Sequence, residues 1–156
     1  MIEVHDRLFV GGEADCRPGN EELVVVHACK SPCHQRAVGY HGSLPSSHPN
    51  YLVLEHSHDL YLNIIDPDGP LFMPPLFTSF LEFAGRHWDD GRKVLVHCNQ
   101  GESRSPTLAM MLMAKHIRAI TDASYDEARA EFERLYAGYC PGLGIQTYLR
   151  HHWAQF

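Results

Sequence analysis

One stretch constrains the fold of this chain more than any other: Val94-Leu95-Val96-His97-Cys98-Asn99-Gln100-Gly101-Glu102-Ser103-Arg104-Ser105-Pro106-Thr107. Its opening apolar run has the composition of a strand buried on both faces. The strand stops at His97-Cys98, and a short polar loop with one glycine follows. An apolar helix then begins at Pro106 and runs through Leu108, Met111, Leu112 and Met113 to about Ala119. Strand, loop and helix in that order call for an α/β domain: a central, largely parallel sheet flanked by helices on both faces. Ligand sites in such sheets lie at the carboxyl ends of the strands, where Cys98 falls.

The loop has the properties of an oxyanion cradle. A loop entering a helix leaves backbone N–H groups unpaired, and the helix dipole adds positive potential there. Gly101 allows a bend that a Cβ would obstruct. Arg104 can offer a planar fork to two oxygens. Thiols at helix N-termini beside an arginine ionise more readily than free ones, which makes Cys98 a candidate nucleophile. Ser105 is placed to donate its hydroxyl to that sulfur and to help it leave. The expected anion-binding set is Asn99, Gln100, Gly101, Glu102, Ser103 and Arg104. The competing explanation is a buried cysteine that merely ends a core strand.

Elsewhere, Leu8-Phe9-Val10 before Gly11-Gly12 reads as a short strand and turn. Leu23 to Ala28 is a β-branched run expected at the centre of the sheet. Cys29 to Asn50 is rich in His, Ser, Pro and Gly and reads as a long irregular connection, with one helical turn around Cys33 to Val38. Connections of that length are often binding loops. Tyr51 to Glu55 fits a strand or a helix. Leu60 to Ile65 is a strand stopped by Asp66-Pro67-Asp68-Gly69-Pro70. Pro74-Pro75 opens a helix to about Trp88, and Asp90-Gly91 ends it. Ser124-Tyr125-Asp126-Glu127 is a capping box for a further helix through Ala128, Phe132 and Leu135. A last helix spans about Ile145 to Trp153. No repeat or linker divides the chain, so residues 1–156 are expected to form a single domain.

Composition narrows the partners. The formal net charge is −6 with histidines neutral, which argues against nucleic acid or an anionic membrane. No apolar segment is long enough to span a membrane. Met1 to Asp6 has neither a basic start nor a long apolar run, so no secretory leader is expected. The five cysteines are odd in number and one is claimed as a nucleophile, which disfavours a disulfide framework and favours a reducing, cytoplasmic setting. Cys29-Lys30-Ser31-Pro32-Cys33-His34 and His56-Ser57-His58 hint at metal. No second pair completes a four-ligand set, so no metal is expected. His97 neighbours Cys98 on a strand and points to the opposite face. It is expected to order the loop by hydrogen bonds rather than to act as a base. Cys29 or Cys33 can be imagined pairing with Cys98 on oxidation.

The strand, His97-Cys98, Gly101, Ser103-Arg104-Ser105 and the apolar helix together resemble the signature of cysteine-based protein phosphatases, and Gly-x-Ser-Arg-Ser is most similar to the dual-specificity branch. The specific match runs from Leu60 to Leu112. Val26-His27-Ala28-Cys29-Lys30 and Cys98-Asn99-Gln100-Gly101 resemble a bacterial or phage subgroup. The resemblance implies a phosphomonoester hydrolase that forms a phosphocysteine on Cys98, with no metal or organic cofactor. It also implies a general acid on a loop roughly thirty residues before the nucleophile. Asp66 and Asp68 both qualify. The alternation Leu62, Ile64, Asp66 favours Asp66, while Asp68 sits in a mobile turn, and either can be a simple turn former. Glu102 in an acidic protein disfavours polyanions, so the expected substrate is a phosphorylated protein or aryl phosphate. No oligomeric state is implied. The rivals are a phosphopeptide-binding module that has lost turnover, and a sulfurtransferase or arsenate reductase with a similar Cys–Arg loop.

Overall fold

The structure is a computed structural model that describes residues 1–156. Six strands form one sheet: β1 (Ile2–His5), β2 (Leu8–Gly11), β3 (Leu23–His27), β4 (Val53–Glu55), β5 (Asp59–Leu62) and β6 (Lys93–His97), in the order β1-β2-β6-β3-β5-β4. The inner strands β2, β6, β3 and β5 are parallel, and the two edges β1 and β4 are antiparallel. The helices are α1 (Gln35–Val38), α2 (Pro74–Asp89), α3 (Arg104–Leu112), α4 (Tyr125–Glu133) and α5 (Leu143–His152).

The two faces of the sheet are covered unequally. Leu8, Val10, Val24, Val26, Leu60, Leu62, Val94 and Val96 alternate toward one face and share a single apolar cluster with residues of α2 to α5. In α2, Leu76, Phe77, Phe80, Phe83 and Ala84 recur at helical spacing and are all buried. Each large side chain among them contributes about 1.5–3 kcal/mol by leaving water. The opposite face carries His27, His97 and Tyr61 and is met by α1 and by the segment around Cys16. No helix is long and apolar enough to cross a membrane.

Several boundaries differ from expectation for local reasons. β1 lies outside the expected strands; Ile2, Glu3 and His5 pair with β2 across a tight turn at Arg7 with φ 59°, and a bulge passes over Val4. β5 ends at Leu62 rather than Ile65, because Asn63 turns back to bond Leu52 and Tyr51 through its main-chain and side-chain nitrogens. Alternation persists past the last pairing, with Ile64 buried and Ile65 exposed. The helix after the cysteine loop starts at Arg104, two residues before Pro106, and widens at Met113–Ile117 before Arg118 stops it in the left-handed region. Ser124 caps α4 by accepting from the Glu127 N–H, but Glu127 does not return the bond that would complete the expected capping box.

The connection Cys29 to Asn50 is held from within. His34 is completely buried; its Nε2–H donates to the Asn50 carbonyl (2.9 Å), and its Nδ1 accepts from the Tyr40 hydroxyl (2.8 Å). Burial pushes the His34 pKa below the ordinary histidine range, and the nearby charges of His48 and Lys30 act the same way against the Asn50 carbonyl. An unfolded chain takes up this proton near pH 6.5, whereas the folded one resists it. His34 therefore contributes stability that is complete above about pH 6.5 and lost as pH falls below it. The urea midpoint is expected to drop between about pH 7.5 and about pH 5, and to drop less in His34→Gln, which keeps hydrogen-bonding groups without taking a charge. Equal drops would remove His34 from the acid response.

Candidate functional site

β6 delivers Cys98 to the carboxyl edge of the sheet, where the chain curls through Asn99–Ser103 into α3. Cys98 is 2% exposed, which suits a nucleophile shielded from bulk water. The Gly101 N–H points back at it, 3.3 Å from Sγ. Gly101 has φ +78°, and a Cβ there would meet the backbone of Gly11 and Gly12 at 3.2 Å. The N–H groups of Asn99, Gln100, Glu102 and Ser103 donate to no acceptor in the protein. Unpaired amides at a helix N-terminus suit an oxyanion.

The floor under the loop is Gly11, read from the sequence only as a turn residue. Its carbonyl accepts from the Cys98 N–H (3.2 Å) and from the Ser105 hydroxyl (3.1 Å). The Ser105 oxygen lies 3.2 Å from the Cys98 sulfur. A hydroxyl has one proton and can also accept, so the thiol S–H donates to Ser105 while Ser105 donates to Gly11. A thiolate in the same place draws the Ser105 proton onto itself.

Arg104 ties three strand ends together. Its Nη1 donates to the carbonyls of Ala28 (3.3 Å) and Ile64 (3.2 Å), just past β3 and β5. Its Nη2 donates to Asn99 Oδ1 (2.8 Å), and the Asn99 amide donates in turn to Ser31. Nε is buried with no protein partner, so one N–H of the fork is left for a ligand.

The link from α4 to α5 grips the outer side of the loop, through residues that sequence reasoning did not single out. Tyr136 donates to the Gly101 carbonyl (2.9 Å), the Cys140 N–H donates to the Glu102 carbonyl (2.8 Å), and the Gly142 N–H donates to Ser103 Oγ (2.9 Å). Thr107 donates to the Ser103 carbonyl (2.7 Å) and meets the buried Tyr139 hydroxyl (2.9 Å). Nothing local in the sequence announces Tyr136, Tyr139, Cys140 or Gly142 as partners, because each lies more than thirty positions from the group it meets. Asp66 packs its carboxylate on Gly142, too close to leave room for a Cβ, and is thereby brought to the Ser103 side of the loop. Asp68 is exposed on the same turn. Pro67 and Gly69 seat that turn on Gly144.

His97 does not bond the loop as expected. It faces the other side of the sheet, where its Nε2 lies 2.7 Å from Nδ1 of His27, its register partner on β3. Its Nδ1 is buried without a partner. Burial drives the His97 pKa down to about 4, assisted by His27. Burial also lowers that of His27, against the pull of Asp59, which sits 2.9 Å from Nε2.

No known family model and no curated protein sequence matches this chain. Solved structures do. The human tyrosine phosphatase-like serine/threonine/tyrosine-interacting protein superposes with a TM-score of 0.66 at 18% identity, covering 98% of this chain and 95% of that one. Human DUSP28 gives 0.67 at 16% identity, with 99% and 96% covered. The Cydia pomonella PTP-2 phosphatase gives 0.58 at 18% identity, with 96% and 87% covered. The chain therefore has the fold of the tyrosine and dual-specificity phosphatases along nearly its whole length.

Gly101 should be intolerant of any side chain. Gly101→Ala places a Cβ in the left-handed region and against Gly11, so a loss of roughly 1–2 kcal/mol or more is expected from the backbone conformation alone. Urea denaturation measures it, and an unchanged midpoint would show that the loop relaxes at no cost.

Proposed function

We propose that the chain is a cysteine-based phosphomonoester hydrolase of the protein-tyrosine/dual-specificity phosphatase type, with residues 1–156 acting as one cytoplasmic catalytic domain. The observation that carries this reading is the composition of the loop around Cys98: a buried sulfur, backbone N–H groups with no protein acceptor, and an arginine with a buried, unpartnered Nε–H. The fold shared with phosphatases supports it. Val26 to Lys30 and Cys98 to Gly101 remain the basis for a bacterial or phage-like subgroup, to which the human and insect neighbours lend no support.

In the proposed reaction the Cys98 thiolate attacks phosphorus while the loop amides and Arg104 hold the equatorial oxygens. The S–P bond forms as the P–O bond to the leaving group breaks, and the proton for that oxygen comes from Asp66. Water then attacks phosphorus, giving its proton to the same carboxylate. The S–P bond breaks, and the electron pair returns to sulfur, where the Ser105 hydroxyl receives it. No metal or organic cofactor is needed for these steps. The expected substrate is a phosphorylated protein or an aryl phosphate.

A phosphopeptide-binding module is the second reading, favoured by one neighbour being named phosphatase-like and interacting. The intact set Cys98, Arg104 and Ser105 favours turnover instead. A sulfurtransferase or arsenate reductase would have no use for a carboxylate turn docked beside Ser103.

Para-nitrophenyl phosphate hydrolysis by the wild type beside Cys98→Ser tests the assignment. Turnover is expected to fall by several orders of magnitude in the variant while binding of a phosphate analogue persists. Activity that survives the substitution, or a wild type that binds without turnover, would reject the hydrolase.

The two aspartates are separated by their dependence on the leaving group. An activated phenol departs with little help, whereas a tyrosine or serine oxygen needs a proton in the transition state. Asp66→Asn is expected to cut turnover of a phosphopeptide by about 10²–10⁴-fold and of para-nitrophenyl phosphate much less. Asp68→Asn should change both only mildly. The reverse pattern would assign the acid to Asp68.

A further inference from the structure

We infer that the face of the sheet behind Cys98 carries a metal site, in which Cys16, His27, Cys33 and His97 bind a borderline-soft divalent cation of the zinc(II) type. The four donor atoms all lie within 4.8 Å of one another. Cys16 Sγ is 3.8 Å from His27 Nδ1 and 4.0 Å from Cys33 Sγ. Tetrahedral zinc, with bonds of about 2.3 Å to sulfur and about 2.0–2.1 Å to nitrogen, separates its ligand atoms by roughly 3.3–3.8 Å. The sulfur contacts are close to that spacing. The His27–His97 contact, at 2.7 Å, is a hydrogen bond that opens by roughly half an ångström to admit the ion.

The surroundings are built as metal sites are. Asp59 lies 2.9 Å from His27 Nε2, so that nitrogen carries the proton and Nδ1 presents its lone pair to the cluster. A carboxylate behind a histidine is the usual outer partner of a zinc ligand. Tyr61 stacks on the His27 ring at 4.3 Å, only 5° from parallel, and fixes its plane. His97 has Nδ1 buried and unpartnered while Nε2 donates to His27. Moving its proton from Nε2 to Nδ1 frees the second imidazole lone pair. The two thiols release their protons as the ion binds, leaving two thiolates and two neutral imidazoles around a dication, a neutral Cys₂His₂ set. Cys33, His27 and His97 are buried, and Cys16 is exposed, which gives the ion an entry. A cavity of about 250 Å³ runs from Cys16 and Cys33 to Cys98.

The ligands come from four separate places: the segment after β2, the ends of β3 and β6, and the long connection. A bound ion would cross-link these four segments beside the loop that carries Cys98. The spacing 16, 27, 33, 97 matches no zinc pattern, and only the register that aligns His27 with His97 brings the set together.

The test is metal content of the reduced full chain after loading with zinc(II) and desalting, with cobalt(II) as an optical probe. One equivalent of zinc is expected in the wild type, Cys98→Ser and Cys140→Ser. Cobalt should give the visible bands of a tetrahedral ion and thiolate-to-cobalt charge transfer. Cys16→Ser, whose side chain is at the exposed mouth, should bind at least tenfold more weakly and lose about half of the charge-transfer intensity. Asp59→Asn should weaken zinc by about 10–100-fold. Folded wild type that holds no zinc, or equal zinc and equal cobalt spectra in wild type and Cys16→Ser, would overturn the site. So would zinc lost in Cys98→Ser but kept in Cys16→Ser, which would put the ion on the catalytic sulfur. Protein that holds no metal, is lighter by two hydrogens before reduction, and yields a proteolytic fragment linking Cys16 to Cys33 would make that pair a disulfide instead.

Discussion

The structure depends on the parallel pairing of β6 between β2 and β3. Register sets Gly11 and His27 on either side of His97. From that one alignment the next residue, Cys98, has Gly11 beneath it, and the carbonyl of Gly11 accepts from both its N–H and Ser105. A slip of one residue would exchange the two faces of β6 and turn Val94 and Val96 away from the apolar cluster they fill. Burial of the sheet and placement of the sulfur are therefore fixed by the same interaction.

The loop itself has little to hold it from within. Four of its N–H groups are committed to nothing in the protein, and its glycine adopts a left-handed conformation that costs a residue with a Cβ energy. Stiffness comes from outside. Gly11 supports it below, Arg104 fastens it to the ends of β3 and β5, and Tyr136, Cys140 and Gly142 hold its outer carbonyls and the Ser103 hydroxyl. Preorganisation of this kind keeps donors aimed at an anion without spending binding energy on ordering them.

Local physics made one part of this legible in the sequence. The strand into Cys98, the glycine, the cap at Ser124 and the proline start of α2 follow from backbone sterics and periodicity within a few residues. Their structural counterparts agree to within one or two positions, whereas β5 ends three residues early. The supports were not legible. Tyr136 reaches Gly101 across thirty-five positions, and Gly11 reaches Ser105 across ninety-four. His97 was assigned the correct face by alternation but the wrong partner, because only strand order says which residue stands beside it. The cluster at Cys16 was invisible for the same reason.

Charge at the site argues about what it can hold. Arg104 is the sole cation in the loop, Glu102 stands exposed beside it, and the whole chain carries −6. Affinity for an anion must then come from short-range donors, amide N–H and guanidinium, rather than from a long-range positive field. Short-range donors recognise one tetrahedral group at close contact and gain nothing from a second phosphate farther away. A polyanion meets instead the repulsion of Glu102 and of the net charge, both weakened by salt over about 8–10 Å. Under the proposed function, a single phosphate on a neutral or basic peptide, or on an aromatic ring, avoids that cost and still fills the cradle. On that reading the loop selects by what it omits as much as by what it presents.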